Sequence, residues 1–293
     1  MTTSAGKATV KLICRAFELS RQAYYAAKKA LGRGASAPAS RPVKADTAAI
    51  IEAAKGIVGA NPAWGVRKVW ATLRREGTVV GYRRLWALMK ANGLTLTPDA
   101  PREKNKPRGR VVTDLPNRRW AMDLTTAWTK ADGLLAITVL VDSGCRSVLG
   151  IQVSKSQESH VVLRPLLDAL VRQFGHRGNV PDGLELRTDH GPQFTGDTCH
   201  RVCEAWGLDH TFAPVGRPTG NALAERTIRT MKEECLWLRD WESLAELEDA
   251  LAAWARSFNE KRPHQALGWL TPTERRAKLL ILPAAAPARE EAA

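Results

Sequence analysis

A chain of 293 residues, 44% hydrophobic and 25% charged, has the make-up of a folded protein of two or three domains, which excludes wholesale disorder and a collagen-like polymer. No run nears the ~18 uninterrupted apolar residues of a membrane-spanning helix, and the N-terminus carries no secretory pattern, so no membrane partner is expected. The formal net charge of +14 is concentrated: residues 1–119 hold 24 Lys/Arg against 7 Asp/Glu, and the remainder is slightly acidic. Such confinement points to a module that binds a polyanion, with nucleic acid first among them. Five scattered cysteines, an odd number, argue for a reducing interior and against a disulfide framework.

In chain order, Lys11 to Phe17 reads as a short helix and Arg21 to Ala30 as a second, with Ser20 as its N-cap. The tight turn between them fits a helix-turn-helix or a plain helical hairpin equally well, and residues 1–31 form the first segment. Residues 32–45, rich in Gly, Ala, Ser and Pro, read as a linker. Residues 46–98 read as a helical basic module. There Val66, Val69, Trp70 and Leu73 share one helical face, as do Leu85, Trp86, Leu88 and Met89. The dibasic pairs Arg67-Lys68, Arg74-Arg75 and Arg83-Arg84 lie off those faces with few acidic residues nearby. Each pair alone could be a solvated face; three in one unit favour DNA contact. Residues 99–119 read as a basic, proline-containing connector.

From Trp120 the pattern changes to WAMDLTTAW, LLAITVLVD and SVLGIQVS, strand-like runs parted by Asp-Gly and Ser-Gly turns, hence an antiparallel meander. An amphipathic helix over SHVVLRPLLDALVRQFG, a strand LELRTD, a helix over 196–206, a short strand HTFAP and two long helices follow. This order predicts an α/β core over 120–275 and a flexible tail over 276–293.

Three acids stand out. Asp123 interrupts an apolar strand, where an ionised side chain needs compensation. Asp189 ends a later strand. Glu225 falls in the first turn of a helix whose N-cap candidate is Asn221. Lys232 follows Glu225 by seven residues, on the same helical face. Three carboxylates from two strands and a helix can converge, and their repulsion calls for cations. Hard oxygen donors suit Mg²⁺ or Mn²⁺, and two such ions can serve a phosphodiester exchange. Taken singly, each acid could be an ordinary hydrogen-bond acceptor. Cys199, His200 and Cys203, with His210 nearby, could hold zinc, although cysteines at i, i+4 on a packed helix read first as buried thiols.

Thirty-five residues separate Asp189 from Glu225. With WAMDLT, RTDHGPQF, GNALAERTIRTMKEE and FNEKRPHQALGWLTP in this order, the chain resembles the bacterial insertion-sequence transposases of the two-frame group, which carry a retroviral-integrase-like core. The resemblance spans roughly residues 10–275. It implies a ribonuclease-H-like fold, a mixed five-stranded sheet with flanking helices, preceded by small all-helical DNA-binding modules. It implies DNA strand cleavage and transfer at the ends of an insertion sequence in a bacterial cytoplasm, with Asp123, Asp189 and Glu225 as catalytic metal ligands. Lys232 and Arg229 would meet DNA, together with Arg67, Lys68, Arg74, Arg75, Arg83 and Arg84. Asn221, His190, Gln193 and His264 would support the site. The implied partners are double-stranded DNA, further copies of the chain, and the product of an upstream overlapping frame. A DNA-binding regulator with a silent core is the competing expectation.

Overall fold

A computed structural model describes residues 10, 14, 20, 22–24, 46–96, 113, 115–213 and 221–281. The chain divides into two compact units at Lys44/Ala45. In the first unit, Ser20 caps a helical turn: its Oγ accepts from the Ala23 amide at 3.1 Å, as expected of an N-cap. The rest of the expected helical pair, and most of the 99–119 connector, lie outside the described residues.

The second unit begins with three helices, α1 (Thr47–Ala60), α2 (Val66–Arg75) and α3 (Tyr82–Ala91). Ile50 and Ala54 of α1 meet Val69 and Leu73 of α2 and Leu85 and Met89 of α3 in one small core. The apolar stripes face inward as the spacing predicted, except for Trp86, which stands exposed on α3 with the Lys90 ammonium over its ring. Trp70 sits at the edge of this core and donates its indole N–H to the Val80 carbonyl at 3.0 Å.

Five strands follow: β1 (Arg119–Thr129), β2 (Gly133–Asp142), β3 (Val148–Ser154), β4 (Glu185–Thr188) and β5 (Asp209–Phe212). Their order across the sheet is β3-β2-β1-β4-β5. The first three form the antiparallel meander, while β4 runs parallel to β1 and β5 parallel to β4. This is the mixed sheet expected of a ribonuclease-H-like fold. Helices α4 (Ser159–Val162) and α5 (Arg164–Phe174) lead from β3 to β4, α6 (Pro192–Thr195) and α7 (Asp197–Trp206) from β4 to β5, and α8 (Ala222–Glu234), α9 (Leu244–Glu260) and α10 (Pro272–Ile281) close the unit.

Period-two alternation along the strands builds a core on each face. Trp120, Met122 and Leu140 join Leu166 and Leu170 of α5 and Cys199 and Cys203 of α7 on one side. Ala121, Ile137, Val139 and Val141 join Ala224, Ile228 and Met231 of α8 and Leu251 and Trp254 of α9 on the other. Asp123 shares the parity of Ala121, so the alternation sends it to the side of α8.

Two expectations are corrected. The flexible tail does not start at residue 276, because α10 continues to Ile281. Arg276 explains why: it ion-pairs with the fully buried Asp142 at 3.2 Å and bonds Gln173 Oε1 at 2.7 Å. Nor are the dibasic pairs short of acidic partners. Lys68 pairs with Glu234 at 2.7 Å and Arg75 with Glu274, acids that belong to α8 and α10. A local charge count misses partners that folding brings from ~170–200 residues away.

Candidate active site

The parallel pairing of β1 with β4 places Ala121 opposite Arg187. Asp123 and Asp189 each lie two residues beyond that pair, so the two acids leave neighbouring strands at the same level. Asp123 Oδ1 accepts from the Leu124 amide at 2.8 Å. Asp189 Oδ1 accepts from the Gly191 amide at 3.0 Å, which curls the loop around the carboxylate. A Cβ at residue 191 would stand 3.0 Å from that oxygen and 2.3 Å from the Gln193 amide nitrogen, so a side chain there would displace the Gln193 amide and crowd the carboxylate.

Glu225 comes from the first turn of α8, where the helix dipole favours an anion. Asn221 occupies the N-cap position, as expected, but its side chain makes no capping bond. Its Nδ2 instead donates to the Met122 carbonyl at 3.0 Å, and the residue is buried. The start of α8 is thereby tied to the residue preceding Asp123. The signal for this tie was present in the sequence only as a polar residue ahead of an apolar helix.

Burial pushes the Asp123 carboxyl up to about 6 against the pull of the Leu124 N–H, and the nearby charges of Asp189 and Glu225 raise it further while Lys232 lowers it. Partial burial also lifts Glu225 above the ordinary carboxylate range. The three acids and Lys232 thus share one electrostatic field. Among the described residues their oxygens are not drawn within 4.8 Å of one another; that spacing is met by Cys199, Cys203 and His210.

The supporting residues fall into distinct places. His190 follows Asp189, bonds the Ala213 carbonyl at 3.0 Å and stacks on Phe212. Gln193 lies in α6, against the Gly191 turn. His264 is buried, bridges to Leu270 through the backbone and packs edge-on against Phe258. Arg229 pairs with Glu233 on the exposed side of α8. Of the basic pairs, Arg84 bonds Thr47 Oγ1 and Arg74 lies over the Trp70 ring, whereas Arg67 and Arg83 are exposed. Lys68 is drawn inward by Glu234, which also takes both its oxygens to Arg262 Nε at 3.0 Å.

Residues 113–218 and 206–272 match integrase core domain families, and residues 45–101 match an HTH-like domain. The HTH-like match falls on α1–α3 rather than on residues 1–31. The chain is 30% identical over 233 residues to transposase InsD of insertion element IS2 from Escherichia coli, covering 74% of this chain and 75% of the relative. The chain belongs to the bacterial insertion-sequence transposases. This DNA transposase is also 29% identical over 222 residues to an uncharacterized 31.7 kDa protein of insertion element IS407 from Burkholderia multivorans, covering 73% of this chain and 76% of that one. Among solved structures, the catalytic core domain of BIV integrase is similar at a TM-score of 0.40 with 25% identity, covering 55% of the transposase and 95% of that chain. A chain of a simian T-cell lymphotropic virus intasome is similar at a TM-score of 0.47 with 18% identity, covering 80% and 78%. The transposase is a polynucleotidyl transferase of the type named for its two aspartates and glutamate.

Proposed function

We propose that the transposase cleaves and rejoins DNA at the ends of an insertion sequence, with Asp123, Asp189 and Glu225 holding Mg²⁺ or Mn²⁺. The observation that carries this reading is the level placement of Asp123 and Asp189 on the paired strands β1 and β4 beside Glu225 of α8, where burial and the two other acids raise the Asp123 carboxyl against the Leu124 N–H and Lys232. An all-oxygen donor set carrying surplus negative charge suits a hard divalent cation. When bound, a pair of such ions supplies activation of an attacking oxygen and stabilisation of the leaving oxygen at a phosphodiester.

The chain's own groups set the geometry. The Leu124 and Gly191 amides orient one oxygen each of Asp123 and Asp189, leaving their second oxygens for ligation. Asn221 fixes where α8 delivers Glu225. Lys232, near Asp123, attracts the DNA phosphate, with Arg229 further along the exposed side of the same helix. His190 and Gln193 border the loop where the strand enters. Water first displaces the 3′ oxygen at the element end, breaking one P–O bond and forming another. The freed 3′ hydroxyl then displaces a 3′ oxygen in a second strand within the same site. Holding two ends at once requires more than one copy of the chain on the DNA.

The test uses the full chain with a labelled element end and Mg²⁺. Asp123→Asn, Asp189→Asn and Glu225→Gln each keep side-chain shape and remove the charge. Each is expected to abolish end cleavage while binding of the same DNA persists. Wild-type protein that binds the ends but never nicks them in Mg²⁺ or Mn²⁺ would identify a regulator with a silent core instead.

A further inference from the structure

Cys199 and Cys203 lie one turn apart on the buried side of α7, and both side chains are almost inaccessible. Gly207 ends that helix in the left-handed conformation, and the chain turns straight into β5. This short return brings His210 beneath the cysteines, so that both sulfurs and a ring nitrogen of His210 lie within 4.8 Å of one another. The residues come from two elements of the core, α7 and β5.

The hydrogen bonds around His210 decide which nitrogen is available. Thr188 has a single hydroxyl proton, and it donates that proton to the Asp189 carbonyl at 2.9 Å. The Thr188 Oγ1 also lies 3.0 Å from His210 Nε2. With the hydroxyl proton on the Asp189 carbonyl, the Thr188 oxygen accepts from Nε2–H, which is the tautomer that a metal-ligating Nδ1 requires. The neutral imidazole then has its lone pair on Nδ1. Metal-ligating histidines are characteristically held in this way, with the second ring N–H fixed by an outer hydrogen bond.

We propose that Cys199, Cys203 and His210 form a zinc site within the integrase-like core. Two thiolates and an imidazole are the donors that select Zn²⁺ over the hard cations suited to the acidic trio. Binding releases the two thiol protons to solvent and leaves a fourth position for water on the half-exposed side of His210. The ion joins α7 to β5. Through His210 and Thr188 it also braces the end of β4, the strand that delivers Asp189. It is thus a structural clamp behind the aspartate and is separate from the chemistry at the phosphodiester.

The experiment measures zinc in the full-length, tag-free protein after gel filtration. About one zinc per chain is expected, falling to background in Cys203→Ser and in His210→Ala and unchanged in Cys14→Ser. Because either core variant could lose its fold, metal-free wild-type protein is also titrated with Co²⁺. Thiolate-to-cobalt charge-transfer absorption with the intense visible bands of a tetrahedral ion is expected at one equivalent, displaced by one equivalent of zinc. Chelator should lower the thermal midpoint of the wild type and leave that of folded Cys203→Ser unchanged. Wild-type protein with no more zinc than Cys203→Ser, and no thiolate–cobalt band, would overturn the proposal. Neither outcome depends on DNA cleavage, so the acidic site stands or falls separately.

Discussion

Asn221 Nδ2 donates to the carbonyl of Met122 across a 3.0 Å hydrogen bond, linking residues 99 positions apart. The bond ties the helix that carries Glu225 to the strand residue immediately before Asp123. The side-chain oxygen that could cap α8 stays buried without a partner, so this side chain serves placement of the acid and not the helix end.

Asn221→Ala leaves the Met122 carbonyl buried without this donor, at a cost of about 1–3 kcal/mol. Misplacing a catalytic group by about 1 Å can cost roughly 10²-fold in rate. The variant is expected to remain folded by circular dichroism, to bind element ends, and to lose strand transfer by about two orders of magnitude. Full activity in a variant with normal DNA affinity would refute the positioning role.

The basic residues of α2 and α3 should separate into two classes. Arg67 and Arg83 are exposed, whereas Lys68 is committed to Glu234. Arg67→Ala with Arg83→Ala should weaken binding across DNA sequences and reduce the slope of log affinity against log salt by about 2. Lys68→Ala should instead lower the unfolding midpoint with little change in that slope. Fluorescence anisotropy over a salt series, alongside urea melts, distinguishes the two.

Arg276 is the cation that meets the buried Asp142, whose Oδ1 also accepts from the Gly144 amide at 2.8 Å. Removing one partner of a buried pair typically costs about 3–5 kcal/mol. Arg276→Ala should therefore destabilise the core by that order. Urea unfolding of this variant against the wild type checks this, and an unchanged midpoint would refute it.

The pH dependence of stability has a specific contributor in His264. Burial, then the positive charges of Arg262, Arg146 and Lys68, push its ring down to about 3. An unfolded histidine titrates near 6.5. Between those values the unfolded chain takes up a proton that the folded chain refuses. The contribution is therefore fully present above about pH 6.5 and is lost as the pH falls toward 3. His264→Gln should reduce the slope of unfolding free energy against pH in this window by up to one proton, about 1.4 kcal/mol per pH unit. An unchanged slope between pH 6 and 4 would show that the ring already protonates in the native protein.

The elements were largely legible in the chain because each announces itself locally. Strand-like runs such as WAMDLTTAW and the continuous apolar LLAITVLVD mark strands, and the spacing of Val69 and Leu73 marks a buried helical stripe. The end of α10 was hidden, since Arg276 reads as an exposed charge until Asp142 is placed beside it. The commitment of Lys68 and Arg75 to distant acids was hidden for the same reason.

The three acids were legible as residues because an ionised group in an apolar strand, a strand end and a helix start are each local oddities. Sequence by itself determined which side chains carry charge, which elements they ride on and which face of β1 holds Asp123, since alternation and helical period are properties of neighbouring residues. Only the tertiary structure decided that β4 runs beside β1 in the register that levels Asp189 with Asp123, that Asn221 grips Met122, and that His210 closes on two cysteines. Those relations depend on strand order and loop return. The chain imposes them by burying both faces of one sheet at once, and no local pattern encodes that.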